Sequence, residues 1–343
     1  MKRFLLIFAA ALAASIVPAS AQTYQAGMRE MAIPAPTGQR DLTGFLWFPT
    51  EAKGPMRNDF DSAVWVATPV VKDAQPTKGP FPLVVLSHGL FGNAYNQAWL
   101  AAAMARRGYV VAAINHPGTS TFLRDPIERR HLWERPKDIS RVIDHVLASP
   151  ELSALVDPDR IFMAGHSLGG FTAAALAGAH YDTAGLKRFC DRTPNELSCR
   201  LLAAWGVARA PEDRARMEAD LSDPRIRAFA LFDLGGTQSF SRTSLQQINT
   251  PMLVFGAPLM DSGLALDIES RALIKALAPK IATYIEPETL SHFDFLGQCK
   301  PGGFEILKRE EPGDEIICLH GGAQRAAKQD VIIAIVDGYF SQQ

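Results

Sequence analysis

The chain lacks the features that mark several common functional classes. Charge of one sign is missing: Lys and Arg number 35 against 36 Asp and Glu, for a formal charge of −1 over 343 residues. Its basic residues are scattered without interleaved aromatics, which argues against a nucleic-acid partner. Cysteine is scarce, at four, and no Cys-x-x-Cys or His-Glu-x-x-His spacing occurs, so no metal site is implied. Internal repeats and low-complexity segments are absent. Beyond residue 21 no apolar run is long enough to span a membrane. What is present is ordinary globular composition, 47% hydrophobic and 21% charged. The length suits one large α/β domain with a substantial core.

The amino terminus stands apart from this composition. Lys2 and Arg3 precede an apolar run from Phe4 to Val17, and Ala19-Ser20-Ala21 is a small-x-small cleavage site. Residues 1–21 are therefore expected to be a signal peptide, with 22–343 as a single domain bound for the periplasm or the exterior. The cysteines agree with an oxidising destination. Pairing neighbours, Cys190 with Cys199 and Cys299 with Cys318, is the simplest of three connectivities and closes two short loops.

Along the rest of the chain strands and helices alternate, the pattern of an α/β sheet. Strands are expected at Tyr24–Ile33, Phe45–Phe48, Phe81–Leu86, Tyr109–Ile114, Arg227–Phe232, Pro251–Phe255 and Ile281–Ile285. Phe81–Leu86 is almost continuously apolar, as a strand covered on both faces should be. Helices are expected at Asn96–Arg107, Asp138–Ala148, Leu168–Ala179 and Leu264–Leu277. A final helix is expected to show Val331, Ile332, Ile335 and Tyr339 on one face. Residues 180–224 form an excursion, read as a cap over the site or a compact surface decoration.

The chemistry centres on Ile161-Phe-Met-Ala-Gly-His-Ser-Leu-Gly-Gly170. An apolar strand enters Gly-x-Ser-x-Gly and an alanine-rich helix leaves it, the context of a nucleophile elbow with Ser167 as nucleophile. Small residues at 165 and 169 permit the tight turn, and the helix amino end favours negative charge. Serine needs a base to take its proton. His292, just after the last expected strand, is the best placed. The supporting acid is Asp233, which ends the strand after the elbow unit, or Asp261, several residues beyond the following strand. The backbone N–H groups of Leu168 and Leu90 are expected to form the oxyanion hole, with Phe91 as the fallback second donor. His88 is read as shaping its loop and His166 as supporting the turn. His116 is a secondary candidate for pocket contact. Phe91, Trp99, Phe293 and Phe295 are candidates for pocket wall or core.

With Ser167, His292 and Ser87-His88-Gly89-Leu90 in hand, the chain resembles the α/β-hydrolase superfamily over most of residues 80–300. Within it, the resemblance is to secreted platelet-activating-factor acetylhydrolases and bacterial proteins labelled predicted dienelactone hydrolases. That resemblance implies a mostly parallel central sheet with helices on both faces and an insertion after the nucleophile helix. It maps an oxyanion donor onto Leu90 and, in the acetylhydrolase-like branch, the acid onto Asp233. Other branches place the acid near Asp261. True dienelactone hydrolases use a cysteine nucleophile, so that activity does not carry over to Ser167. The expected activity is carboxylic-ester hydrolysis through an acyl-enzyme, without cofactor, on small or lipid-like esters, polyesters included. An amidase with the same triad and an inactive binding protein on this scaffold are the alternatives.

Overall fold

The computed structural model describes residues 24–35 and 40–343; the signal peptide expected at 1–21 lies outside the described residues. The strands are β1 Gln25–Ile33, β2 Leu42–Thr50, β3 Met56–Asp59, β4 Thr68–Val71, β5 Phe81–Ser87, β6 Val110–Asn115, β7 Val156–His166, β8 Ile226–Phe232, β9 Met252–Phe255 and β10 Ala282–Ile285. The helices are α1 Ala98–Arg106, α2 Glu134–Ala148, α3 Pro150–Ser153, α4 Leu168–Leu176, α5 Thr183–Arg192, α6 Leu197–Trp205, α7 Pro211–Met217, α8 Arg242–Gln247, α9 Ser270–Ala276, α10 Gly303–Glu310 and α11 Ala323–Phe340.

The strands form one sheet in the order β10-β9-β8-β7-β5-β6-β2-β1-β4-β3. From β10 to β6 every pairing is parallel, whereas β2 joins β6 and β1 in antiparallel fashion. Covering both faces is what the sequence of β5 requires, since all seven of its residues are buried. Leu83 and Val85 pack into one core with α2 and α4. Val84 and Leu86 pack into the other with α1 and α11. Removing such side chains from water contributes about 1.5–3 kcal/mol each. Pro82, which has no N–H to give a ladder, falls where the β5–β7 register shifts, between Phe81 and Leu83.

Three expectations need correction. The helix expected over 264–277 begins only at Ser270, because Gly263 takes a positive φ of 77° and Glu269 lies outside the helical region at φ −110°, ψ −104°. Helix α2 starts at Glu134, earlier than the apolar pattern suggests, because Arg135 and Asp138 are buried with its apolar residues. In α11 the buried face is Ile332, Ile333, Val336 and Phe340, together with Arg325 and Gln329, and Val331 is 59% exposed. Two buried polar side chains turn that helix away from the face its apolar spacing implies. Among the described residues, no helix is long and apolar enough to cross a membrane.

Candidate active site

Strand β7 enters the Gly-x-Ser-x-Gly turn and α4 leaves it, with Ser167 between them at φ 55°, ψ −115°. A non-glycine residue at positive φ costs about 1–3 kcal/mol and needs its surroundings to hold it there. Part of that support comes from the Ser167 N–H, which donates to the Phe232 carbonyl at the end of β8 (3.0 Å). The flanking glycines are dictated by contact. A Cβ at 165 would lie 2.1 Å from the Gly169 carbonyl oxygen, and one at 169 would lie 1.9 Å from that of Ser87. The carboxyl ends of β5, β7 and β8 thus meet at one spot, the edge where open α/β sheets place their ligand sites.

His292 opens a short 3₁₀ turn, His292–Phe295, capped by Ser291 and Asp294. Its Nδ1–H donates to Asp233 Oδ2 at 2.7 Å, which leaves Nε2 as the nitrogen open to Ser167. Asp233 itself has a positive φ of 44°, and its Oδ1 accepts the Ala257 N–H at 2.9 Å. Asp261 also approaches this loop, but by a different route. Its carboxylate accepts the Ser291 hydroxyl (2.5 Å) and the His292 backbone N–H (3.3 Å), not the imidazole. His166 backs the same loop, with Nε2–H donating to the His292 carbonyl at 2.9 Å and the two rings 4.4 Å apart. Burial, then the adjacent His292, holds the His166 imidazole well below its ordinary pKa, so it stays neutral.

The N–H groups expected to form an oxyanion hole are free of backbone acceptors among the described residues. That of Leu168 is unpaired because it begins α4. That of Leu90 sits on a loop pressed against Ser167: a Cβ at Gly89 would lie 3.1 Å from Ser167 Cβ. His88 shapes this loop from below. It accepts the His116 N–H at Nε2 (3.1 Å) and donates from Nδ1 to the Gly89 carbonyl (2.7 Å).

His116 lies behind the loop, not in the pocket, and is completely buried. Its Nδ1–H donates to Asp138 Oδ2 at 2.9 Å, and its Nε2 accepts the Ser87 hydroxyl at 2.9 Å. This is a second Ser-His-Asp chain. Burial, with Arg135 and Arg40 nearby, holds His116 well below its ordinary pKa. Arg40 donates to both Asp138 oxygens, at 2.9 and 2.7 Å. Arg135 donates to Ser87 Oγ (3.1 Å), the His88 carbonyl (2.5 Å), Thr119 (2.6 Å) and Thr172 of α4 (3.0 Å). Burial pulls its guanidinium down to about 9, still charged at neutral pH. The cluster ties the Ser87–Gly89 loop to the elbow helix. Neither it nor Arg135 was legible as a unit in the sequence.

Ser167, Leu90, Leu168 and His292 all line one cavity of about 710 Å³. One wall is α6, through Leu197, Leu201, Leu202 and Trp205, so the 180–224 excursion reaches the pocket. Another wall, drawn from residues 307–317, was not anticipated. Its one sequence signal was the second cysteine pair. Both disulfides join the neighbouring cysteines, Cys190–Cys199 between α5 and α6 and Cys299–Cys318 around the second wall. Phe91 and Phe293 line the cavity, whereas Phe295 belongs to the core and Trp99 donates to the Phe295 carbonyl at 3.2 Å. The rim adds Phe122 and Arg124, also missed. The Arg124 guanidinium stands 4.8 Å from the Phe91 ring centre, and that of Arg129 stands 5.8 Å from Phe91 and 5.4 Å from Trp205. These cation–π contacts, worth about 0.5–1 kcal/mol each where exposed, fasten α6 to the Gly89–Gly92 loop.

Comparison with known proteins agrees with this fold. The model of the alpha/beta hydrolase family matches residues 84–297. Cutinase 2 of Thermobifida cellulosilytica is 29% identical over 130 residues, 37% of this chain and 44% of that protein. Cutinase cut1 of Thermobifida fusca is 29% identical over the same length, 37% of this chain and 36% of the relative. The chain thus spans less than half the length of the curated relatives it matches. Among solved structures, a ferulic acid esterase from Streptomyces cinnamoneus superposes with a TM-score of 0.60 at 22% identity, covering 96% of this chain and 92% of the other. At that identity the likeness concerns the fold.

Proposed function

The chain belongs to the alpha/beta hydrolase family, and from that premise we propose that it hydrolyses carboxylic esters with Ser167 as nucleophile, His292 as base and Asp233 as the acid. The observation that carries this is the 2.7 Å hydrogen bond from His292 Nδ1 to Asp233, in a histidine that shares a cavity with a serine held at φ 55°. The partial relatives named as cutinases are consistent with it.

The steps follow from the groups present. Ser167 Oγ attacks the ester carbonyl while His292 Nε2 takes its proton. Asp233 keeps Nδ1 protonated and stabilises the imidazolium that forms. The carbonyl oxygen becomes an oxyanion facing the N–H groups of Leu168 and Leu90. Loss of one such donor costs about 3–4 kcal/mol in measured hydrolases. His292 passes its proton to the departing alcohol, leaving an acyl-Ser167. It then takes a proton from water as the water attacks, and returns that proton to Ser167 as the acid leaves. Asp261 acts by holding the backbone of the base.

A cavity walled by leucines, tryptophan and phenylalanine suits small or lipid-like esters. In this reading α6 is a cap element, and the two disulfides support an oxidising destination such as the periplasm or the exterior. Purified protein should turn over p-nitrophenyl butyrate, and Ser167→Ala should lower kcat at least about 10³-fold. Wild-type protein no faster than Ser167→Ala on a panel of esters would sink the proposal.

A further inference from the structure

Among the described residues, six carboxyl side chains are buried. Asp138, Asp213, Asp223, Asp233 and Asp294 each meet an arginine, lysine or histidine. Glu269, 2% exposed just ahead of α9, meets none. Its Oε1 accepts the Ser198 hydroxyl of α6 at 2.7 Å, and its Oε2 accepts the Thr237 N–H at 2.7 Å. Ser198 lies on the cavity wall beside Leu197 and Leu201. Thr237 follows Gly235 and Gly236, which line the cavity on the segment leaving Asp233. One uncompensated carboxyl therefore joins the α6 wall to the acid's loop.

We propose that Glu269 is a positioning residue that latches α6 against the Asp233 loop and so sets how the cavity grips the apolar part of its substrate, a proposal that rests on the ester-hydrolase reading above. The carboxylic acid satisfies both partners, accepting from Thr237 and exchanging a hydrogen bond with Ser198. The carboxylate is a buried charge with no counter-ion. Charged groups on the surrounding elements are Glu196 and Arg200 at α6, Asp233 on the loop, Arg242 on α8, and Asp267, Arg271 and Lys275 around α9. None of them pairs with Glu269, and Arg271 is held by Asp267 and Glu286. Burial pushes the Glu269 carboxyl up to about 7, against the pull of hydrogen bonds from Ser198, Thr237 and the Gly236 backbone. A raised carboxyl pKa means that the latch's contribution is complete below the ordinary value and is lost as pH rises through about 7.

The test is the ratio of kcat/KM for p-nitrophenyl decanoate to that for p-nitrophenyl acetate. Leu197, Leu201 and Trp205 line the same cavity as Ser167, and only the long acyl chain is expected to reach them. Ionisation of the triad affects both esters alike and cancels in the ratio. In wild-type enzyme the ratio should fall roughly tenfold as pH rises through about 7, the equivalent of about two buried methylenes. Glu269→Gln, which can satisfy Thr237 and Ser198 without a charge, should keep the ratio high and flat. Glu269→Ala should lower it at every pH; if that variant does not fold, the Gln profile decides. A flat wild-type ratio, or a Gln variant that follows the wild-type curve, overturns the latch. Turnover of neither ester overturns the hydrolase reading itself, and the latch with it.

Discussion

Two groupings of Ser, His and Asp flank one loop, and their hydrogen bonds differ at the serine. In Ser87–His116–Asp138 the serine–histidine and histidine–aspartate distances are both 2.9 Å. In the other set, the His292–Asp233 distance is 2.7 Å and the Ser167 hydroxyl forms no hydrogen bond among the described residues. By hydrogen bonding alone, the buried chain is the more complete. Access and backbone reverse that ranking. Ser87 ends a regular strand, completely buried, with Arg135 on its hydroxyl. Ser167 is held at positive φ on the wall of a large cavity, beside two unengaged N–H groups. The comparison teaches that the residue types are not the site. The same trio braces a loop when sealed and is suited to attack a carbonyl when a cavity meets it. An unpaired serine is also what a resting hydrolase can show, since such hydrogen bonds often tighten only with substrate bound.

The largest effect should separate the two serines. Ser167→Ala or His292→Ala is expected to reduce ester turnover about 10⁴–10⁶-fold. Ser87→Ala should cost less than about tenfold in kcat, together with about 1–3 kcal/mol of stability as Arg135 and His116 lose a partner. Steady-state kinetics and urea unfolding read both quantities, and equal kinetic losses would erase the distinction. The acids sharpen it further. Asp233→Asn should lower kcat about 10³–10⁴-fold by upsetting the tautomer of His292. Asp261→Asn, which touches only the backbone and Ser291, should lower it about tenfold or less. A reversal of those two would move the acid to Asp261.

On the bracing side the expected loss is stability. Asp138→Asn leaves Arg40 and His116 without their carboxylate and should cost about 3–5 kcal/mol in urea unfolding. Folded variant should still react at Ser167. The smallest effect is acid sensitivity. His88, His116 and His166 are all held well below their ordinary pKa, first of all by burial. The unfolded chain therefore binds protons that the native state refuses. Stability is complete above about 6.5 and falls as pH drops, by up to about 1.4 kcal/mol per pH unit for each histidine. His116→Gln should flatten that slope when urea midpoints are compared at about pH 7.5 and 5.5.

The legibility of the two chains in the sequence differed for physical reasons. Ser167 announced itself because the turn demands glycine at 165 and 169, a local requirement that leaves a motif. The parallel core was legible in β5 for a similar reason, since covering both faces removes the alternation. Ser87, His116 and Asp138 come from two strand ends and a helix, and only the sheet brings them together. Arg135 drew no reading, because nothing local says that its guanidinium will be sealed by Thr119, Thr172 and the His88 carbonyl. Position favoured Asp233 without excluding Asp261, since both reach the His292 loop and differ in which atoms they meet. The Leu307–Ile317 wall was missed because its place depends on chain returning past Trp65, which bridges to Cys299.

The most direct measurement is to map the serine that reacts with a fluorophosphonate probe, by intact-mass and peptide mass spectrometry of wild type, Ser167→Ala and Ser87→Ala. A single adduct at Ser167 in wild type and Ser87→Ala, with none in Ser167→Ala, is the expected result. An adduct that persists in Ser167→Ala, or one that maps to Ser87, would contradict the assignment of attack to one chain and bracing to the other.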